Sequence, residues 1–460
     1  MAEAAPRRGM QDMTQGPIRT HVVRLTLFML AGMLLQTAYS LVDIYWVGQL
    51  GKEAVAAVSL ATNLGFVTLA LSQMIGVGVA TLVSQAAGRK DEAEVQRAFN
   101  QGQSLALWTG LAFLLGAFAA RDVYAERIAG DIATSALTKA FLDWYIPALA
   151  LQFSMIGLGS ALRGVGNMRP GLVAQMGSVL LNLLLAPFLI FGWVTHRPFG
   201  VAGAAMATFI ATVAAVAGLA LYLARRATFF RVDLRAWRAD WALWRRMVSI
   251  GFPAGAEFML MALLFGVFFA VIARFGPEGQ AGFGIGMRIM QAGFMPAISL
   301  SFAVAAVAGQ NYGGGQMQRV RETFAEGARL NVAFMLLFTL LCHLAPAALM
   351  RLFTHDAAVV DVGVTYLRIV SYNYVAFGLI VVAQGLFQGM GNTWPSLLAS
   401  AIRVAVVVGC ILWLTRRPAF ALSQLWTVSV VSVTLQMTVA LLLLRREFHT
   451  RLGTPAPASG

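Results

Sequence analysis

The sequence predicts an all-α membrane protein of twelve transmembrane helices, arranged as two parallel six-helix repeats. Three observations lead there. Hydrophobic residues make up 59% of the 460 and charged residues only 12%, about half the charged share of a soluble domain. Apolar stretches of about 20 residues, the span of a bilayer core, recur from one end to the other. The chain also matches itself at an offset of 225 residues, which marks an internal duplication. Mean hydropathy is +0.73. Spanning segments must satisfy their own backbone groups, so they are helices; barrel strands would be shorter and alternate in polarity, which these do not.

Taken in order, residues 1–23 form a polar tail with Arg7, Arg8 and Arg19. No small-residue cleavage site precedes the first apolar stretch, so that stretch reads as a retained helix and not a removed signal. The first lobe, 24–224, holds spans over 24–48, 55–84, 100–120, 138–160, 170–193 and 200–224. A basic linker, 225–248, carries Arg225, Arg226, Arg231, Arg235, Arg238, Arg245 and Arg246 with Trp237, Trp241 and Trp244. That mixture suits an amphipathic helix on the membrane surface; a plain charged linker is the alternative. The second lobe, 249–444, holds spans over 249–274, 280–308, 326–348, 364–388, 396–415 and 420–444. A tail, 445–460, follows.

With each span crossing once and the N-terminus inside, 22 of the 34 basic residues fall on the inner side and 10 on the outer. The positive-inside tendency therefore places both termini in the cytoplasm; a cell's inner membrane is the expected location. The same scatter of basic residues accounts for a net charge of +14 without a nucleic-acid patch.

The repeat is carried by three blocks. Gly51, Glu53 and Ala56 meet Gly276, Glu278 and Ala281. Gln85, Gly88, Val95 and Phe99 meet Gln310, Gly313, Val320 and Phe324. Gly164, Gly166, Asn167 and Pro170 meet Gly389, Gly391, Asn392 and Pro395. Six spans separate equivalent positions, so the halves share one orientation, and two such bundles suit alternating access. The blocks fall at glycine-rich turns, where their role is structural.

Enzyme chemistry finds no support. Gly313-Gly314-Gly315 lacks the Lys and hydroxyl of a phosphate-binding loop, and the five His lie in loops, tails or span ends. Cys342 and Cys410 have no His or Cys at ligand spacing and read as free buried thiols. No cofactor and no metal cluster is expected, so an ion gradient would supply the energy.

The chain resembles the multidrug and toxic compound extrusion (MATE) transporters over nearly its whole length. The resemblance rests on Leu41–Gly48 (LVDIYWVG), Gly76–Gln85 (GVGVATLVSQ) with Gly88, Ala161–Asn167 (ALRGVGN), Gly200–Thr208 (GVAGAAMAT) and Gly251–Gly255 (GFPAG). It implies two six-helix lobes around a central cavity, and an antiporter that exports organic cations in exchange for protons, with sodium as the alternative. Such a protein is expected to act as a monomer.

Intramembrane ionisable groups are costly and need a reason. Gln36, Ser40 and Asp43 fall at i, i+4 and i+7 with Tyr39 beside them, one polar face of the first span. Resemblance to the DinF-like branch, more than to the NorM-like one, implies that Asp43 is a coupling acid acting with Asn182 and Thr208. The branch carries a second acid where this chain has Ala186. Losing one carboxylate weakens a sodium site more than a proton site, so proton coupling is expected. Glu257, in the seventh span, is a candidate for cationic substrate, and Arg288 either pairs with it or serves function. Another acid of some members is replaced here by Phe377. Asp143 reads as interfacial. Met287 and Met290, with Gln36 and Tyr39, are candidate lining of a promiscuous pocket. The runner-up reading is a lipid-linked precursor flippase of related architecture.

Overall fold

A computed structural model describes residues 11–193, 198–226, 230–417 and 420–451. Among them are fourteen α-helices and no strand. In chain order these are α1 (Ile18–Gly48), α2 (Lys52–Gly88), α3 (Glu92–Ile128), α4 (Ile132–Gly164), α5 (Arg169–Phe191), α6 (Gly200–Arg226), α7 (Trp241–Ile272), α8 (Gly276–Gly313), α9 (Met317–Leu344), α10 (Pro346–Arg351), α11 (Ala357–Val370), α12 (Asn373–Met390), α13 (Trp394–Leu414) and α14 (Leu422–Arg451). Eleven apolar stretches are long enough to cross a bilayer. One of them, Trp241–Gly313, holds both α7 and α8, so the helices make twelve crossings.

The helices repeat in register. Adding 225 to the bounds of α1, α2, α5 and α6 reproduces α7, α8, α13 and α14 to within a few residues. Two helices of the second half are broken where the first half is continuous. α3 corresponds to α9 plus the short α10. α4 corresponds to α11 plus α12, so the expected span 364–388 is two helices. The break at Ser371–Tyr372 falls where α4 has Ile146 and Pro147. Proline removes a helical hydrogen bond; here the proline half stays helical and its copy opens.

The matching sequence blocks are explained by backbone geometry. Positive φ recurs at paired positions: Gly51 (105°) with Gly276 (83°), Lys90 (60°) with Gly315 (73°), and Gly166 (77°) with Gly391 (78°). The last pair closes identical helix ends. Gly166 N donates to Arg163 O (2.9 Å) and Asn167 N to Leu162 O (2.9 Å); Gly391 N donates to Gln388 O (3.0 Å) and Asn392 N to Phe387 O (3.0 Å). These paired bonds stop a helix on a left-handed residue. Lys90 is the one non-glycine residue with positive φ among the described residues.

The chain divides into two compact units whose bounds differ from the expected lobes. Unit one contains Phe28–Gly255 and a short stretch ending at Asp12. Unit two contains Met13–Leu27 and the chain from Ala256 onward. The start of α7 thus belongs to unit one. Gly251 and Gly255 make this possible: a Cβ on either would strike the Met74 or Ala70 carbonyl oxygen of α2, at 1.7 and 2.6 Å. In unit one α4 is the central helix, packed on α2, α3 and α6. In unit two α12 takes that place, against α8, α9 and α14.

Among its described residues the linker forms no separate amphipathic helix: Arg225 and Arg226 lie in α6, Trp241 and Trp244 already lie in α7, and between the two helices stands one 3-10 turn, Leu234–Trp237. Polar side chains at the start of α3 hold its backbone. Asn100 Nδ2 donates to Arg231 O (3.0 Å), and Asn100 Oδ1 accepts from Asp233 N (3.0 Å) and Trp237 Nε1 (3.2 Å). Gln101 Nε2 donates to Ala236 O (2.6 Å) and Arg238 O (2.8 Å), and Ser104 Oγ to Trp237 O (2.7 Å). Phe230 stacks on Phe99 at 4.5 Å. The N-terminal tail is docked too, within unit two. Met13 is fully buried, its N–H donates to Gln310 Oε1 (2.9 Å), and Arg319 Nη2 donates to Gly16 O (2.9 Å). Arg7 and Arg8 lie outside the described residues.

Two outcomes are expected. Gly391→Ala forces a side chain into the left-handed region and costs about 1–2 kcal/mol. Gly409→Ala, where an added Cβ meets nothing within 4 Å, leaves the melting temperature in detergent unchanged or raised. Equal behaviour of the two would refute the turn argument. The second concerns Asp240, whose carboxylate accepts from Arg97 Nε at 3.1 Å. That guanidinium, with the Leu243 N–H, holds the carboxyl below the usual carboxylate range. A depressed folded-state pKa gives stability that is present above the ordinary value, roughly pH 4, and lost as pH falls through the depressed one. The pair is partly exposed, so the contribution is below about 1 kcal/mol. Asp240→Asn should lower the melting temperature slightly at pH 7, and the difference should vanish in acid.

Candidate ion-coupling site

Three helices of unit one bring the predicted residues together. α1 supplies Tyr39 and Asp43, one turn apart. α5 supplies Asn182, only 3% exposed, and α6 supplies Thr208. The Tyr39 hydroxyl lies 3.0 Å from Thr208 Oγ1. Asn182 Nδ2 donates to Thr208 Oγ1 (3.2 Å) and, less closely, to Tyr39 Oη (3.4 Å). Thr208 spends its own proton on Ala204 O one turn back (3.2 Å). Its oxygen therefore accepts, and Tyr39 donates to it. Tyr39, expected from the sequence as pocket lining, is the hub of the cluster.

Asp43 stands beside this network without entering it. Its Oδ1 is buried and has no hydrogen-bond partner among the described residues. The carboxylate lies within electrostatic range of the Tyr39 and Tyr145 hydroxyls. Tyr145, on α4, went unnoticed in the sequence; it sits two residues after Asp143, in a helix read only for its end. A buried carboxylate oxygen without a donor is unstable as it stands. It can be satisfied by taking a proton or by meeting a cation. Ala186, where the resemblance led to an acid, is 1% exposed and packs with Val58, Ile146, Ile190 and Ala204, so this side of the site is apolar. No cluster of three acid, His or Cys side chains exists among the described residues.

The other candidates have partners of their own. Gln36 is exposed and accepts from Gln175 Nε2 of α5 (3.1 Å). In unit two, Glu257 Oε2 accepts from Gln384 Nε2 of α12 (2.9 Å), and its Oε1 is buried and unpartnered. Glu257 does not pair with Arg288: the amide of Gln384 occupies the carboxylate, and Arg288 is on an exposed face of α8. Met290 is core, 1% exposed, and Met287 packs against the same core from its edge. Phe377 packs at a tilt on Phe294, ring centroids 4.1 Å apart, against the edge of that core. Asp143 is exposed and ion-paired with Arg121.

Comparison with known proteins follows the duplication. The MatE family model matches residues 29–188 and again 253–413. A "Probable multidrug resistance protein NorM" of Thermotoga maritima is 24% identical over 391 residues, 84% of this chain and 83% of the relative. The "Multidrug export protein MepA" of Staphylococcus aureus strain N315 is 24% identical over 403 residues, 86% of each chain. A solved structure described as the outward-facing conformation of a multidrug resistance MATE family transporter superposes with a TM-score of 0.88. It covers 97% of this chain and 99% of the other at 22% identity.

The hydrogen-bonded cluster predicts a measurable coupling. In a double-mutant cycle of Tyr39→Phe and Thr208→Val, unfolding in mixed micelles should give an interaction energy of roughly 0.6 kcal/mol, the average for hydrogen bonds between membrane helices. Strict additivity would mean that the two hydroxyls are not bonded.

Proposed function

The chain belongs to the MatE family, a membrane transporter, and on that premise we propose that it is a multidrug efflux antiporter exchanging organic cations for protons by alternating access. One observation carries the coupling half of this reading: the buried, donorless Oδ1 of Asp43 beside the Tyr39–Thr208–Asn182 network. Such a carboxylate is at rest when protonated. It is equally at rest when a cation takes the proton's place, so proton and cationic substrate compete for one charge. That competition is what antiport requires, since a transporter that returns empty must be harder to move than one that returns loaded.

Proton coupling is preferred to sodium on the donor set. A hard cation seeks about six oxygens. Asp43, Asn182, Thr208 and Tyr39 supply few, and the Thr208 and Tyr39 hydroxyls are engaged with each other. Ala186 adds none. A single proton needs one carboxylate oxygen. Asp43, Asn182 and Thr208 match the pattern of the DinF-like branch, from which Ala186 departs. Glu257, with one unpartnered oxygen, is a second acid of the reading that can meet a cationic substrate, and Gln384 positions it. The family match leaves a lipid-linked precursor flippase without support. Placement in a bacterial inner membrane with both termini inside agrees with the excess of Lys and Arg on one side.

The test is transport of a fluorescent organic cation such as ethidium into everted vesicles and proteoliposomes. A proton gradient alone should drive the wild-type protein, a sodium gradient alone should not, and Asp43→Asn should fall to the level of protein-free vesicles. Undiminished transport by Asp43→Asn under a proton gradient would overturn the assignment. Transport driven by sodium alone would replace the coupling ion.

A further inference from the structure

Unit two contains a polar cluster that the antiport reading does not use. Arg403 stands near the middle of α13, nine residues after Trp394 and eleven before Leu414. Ser396 and Ser400 lie seven and three residues before it, on one helical face. That face also bears Ala399, Val407, Ile411 and Leu414, all buried, and it packs on α14. There Gln436, 5% exposed, uses both ends of its amide. Its Oε1 accepts from Arg403 Nη1 (3.3 Å) and its Nε2 donates to Ser400 Oγ (3.0 Å).

What remains over is one-sided. Arg403 Nε is buried with no partner, and so is the Ser396 hydroxyl on a side chain 5% exposed. Ser400 accepts from Gln436, which leaves its own proton to give. No carboxylate pairs with Arg403 among the described residues; the Gln436 amide is its recorded partner. A guanidinium can donate five hydrogen bonds and accepts none. A charge at this depth is sustained by a partner or by a wet cavity. The acid that would serve a structural role is missing among the described residues, and every unused group can donate. Donors surrounding a fixed positive charge complement an anion, and the planar fork of Arg matches the paired oxygens of a carboxylate or phosphate.

The duplication sharpens the point. At offset 225, α13 and α14 are the copies of α5 and α6, which carry Asn182 and Thr208 in unit one. The corresponding seams of the two units are both polar, but one adjoins an acid and the other holds a base. We infer that Ser396, Ser400 and Arg403, braced by Gln436, bind the carboxylate or phosphate group of an amphiphilic organic anion or zwitterion. The inference rests on the transporter reading only in taking the ligand as cargo; binding itself does not depend on it.

The probe is a matched fluorescent pair, 7-(diethylamino)coumarin-3-carboxylate and its carboxamide, titrated by anisotropy onto the full chain in dodecyl maltoside. The two differ by one charge at equal shape, and no ion gradient is involved, so failure here leaves the antiport test untouched. The wild-type protein should bind the acid roughly tenfold or more tighter than the amide, a ratio equal to about 1.4 kcal/mol. Arg403→Gln should bring that ratio to near one, and Arg403→Lys should leave it between the two. Ser396→Ala and Ser400→Ala remove a single hydroxyl each and should lower the ratio, which keeps the test open if Arg403→Gln does not fold. Competition by phosphatidylglycerol would support the same site with a lipid headgroup as occupant; no competition would support a soluble solute. A wild-type ratio of one, or a ratio that survives both Arg403→Gln and the serine variants, overturns the inference.

Discussion

Most of this chain folds where there is no water, and a hydrogen-bonding group there must find its partner in protein. Helices answer that demand for the backbone; side chains have to answer it one by one. Three groups of polar residues do so differently. Asn100, Gln101 and Ser104 spend their amides and hydroxyl on the backbone of the connecting segment, and the account closes. Tyr39, Asn182 and Thr208 satisfy one another and leave Asp43 beside them with an oxygen to spare. Ser396, Ser400, Arg403 and Gln436 are braced among themselves and keep donors in hand. The first arrangement is architecture. The second and third each keep a buried polar atom without a partner, and on the reading proposed above that is how a binding site differs from a fastening built from the same residue types.

Much of the scaffold was legible in the sequence because its causes are local. Span length, turn glycines and the 225-residue offset are each set within a few residues. The helices accordingly fall in register with the blocks that revealed the repeat. The broken copy of α4 was not legible: Pro147 marks the spot in the half that stays continuous, while Ser371 and Tyr372 carry no breaker. The exchange of leading segments between the units was hidden as well. It depends on Gly251 and Gly255 reaching the α2 backbone, and a glycine shows that it permits approach, not what approaches. Of the two readings left open for the linker, the amphipathic helix was suggested only because its tryptophans and arginines imitate one. The decisive residues stand more than a hundred positions earlier, on α3.

The candidate site was legible in part for the same reason. Asp43 announces itself by being charged in an apolar run, and its face-mates follow from helical spacing. Asn182 and Thr208 came only by resemblance, since an Asn and a Thr in a membrane helix are unremarkable. Their meeting with Tyr39 confirms that the three share a seam, not that an ion passes there. Arg288 drew attention for its charge, yet it is exposed and apart from Glu257. Arg403, equally charged and equally visible, proved the more constrained of the two once its neighbours were in place.

The paired positive-φ turns carry one last implication. Connections are ordinarily where related chains drift while their helices stay recognisable. Between the two halves of this protein the order is inverted. The turns at Gly51 and Gly276, and at Gly166 and Gly391, kept both residue and geometry. At Lys90 and Gly315 geometry outlasted the residue itself. The spans between them diverged until Asp43 in one is matched, at the 225-residue offset, by Phe268 in the other. After duplication, then, the corners were the inherited frame, and the membrane-crossing rods were the free material on which two different chemistries could be written.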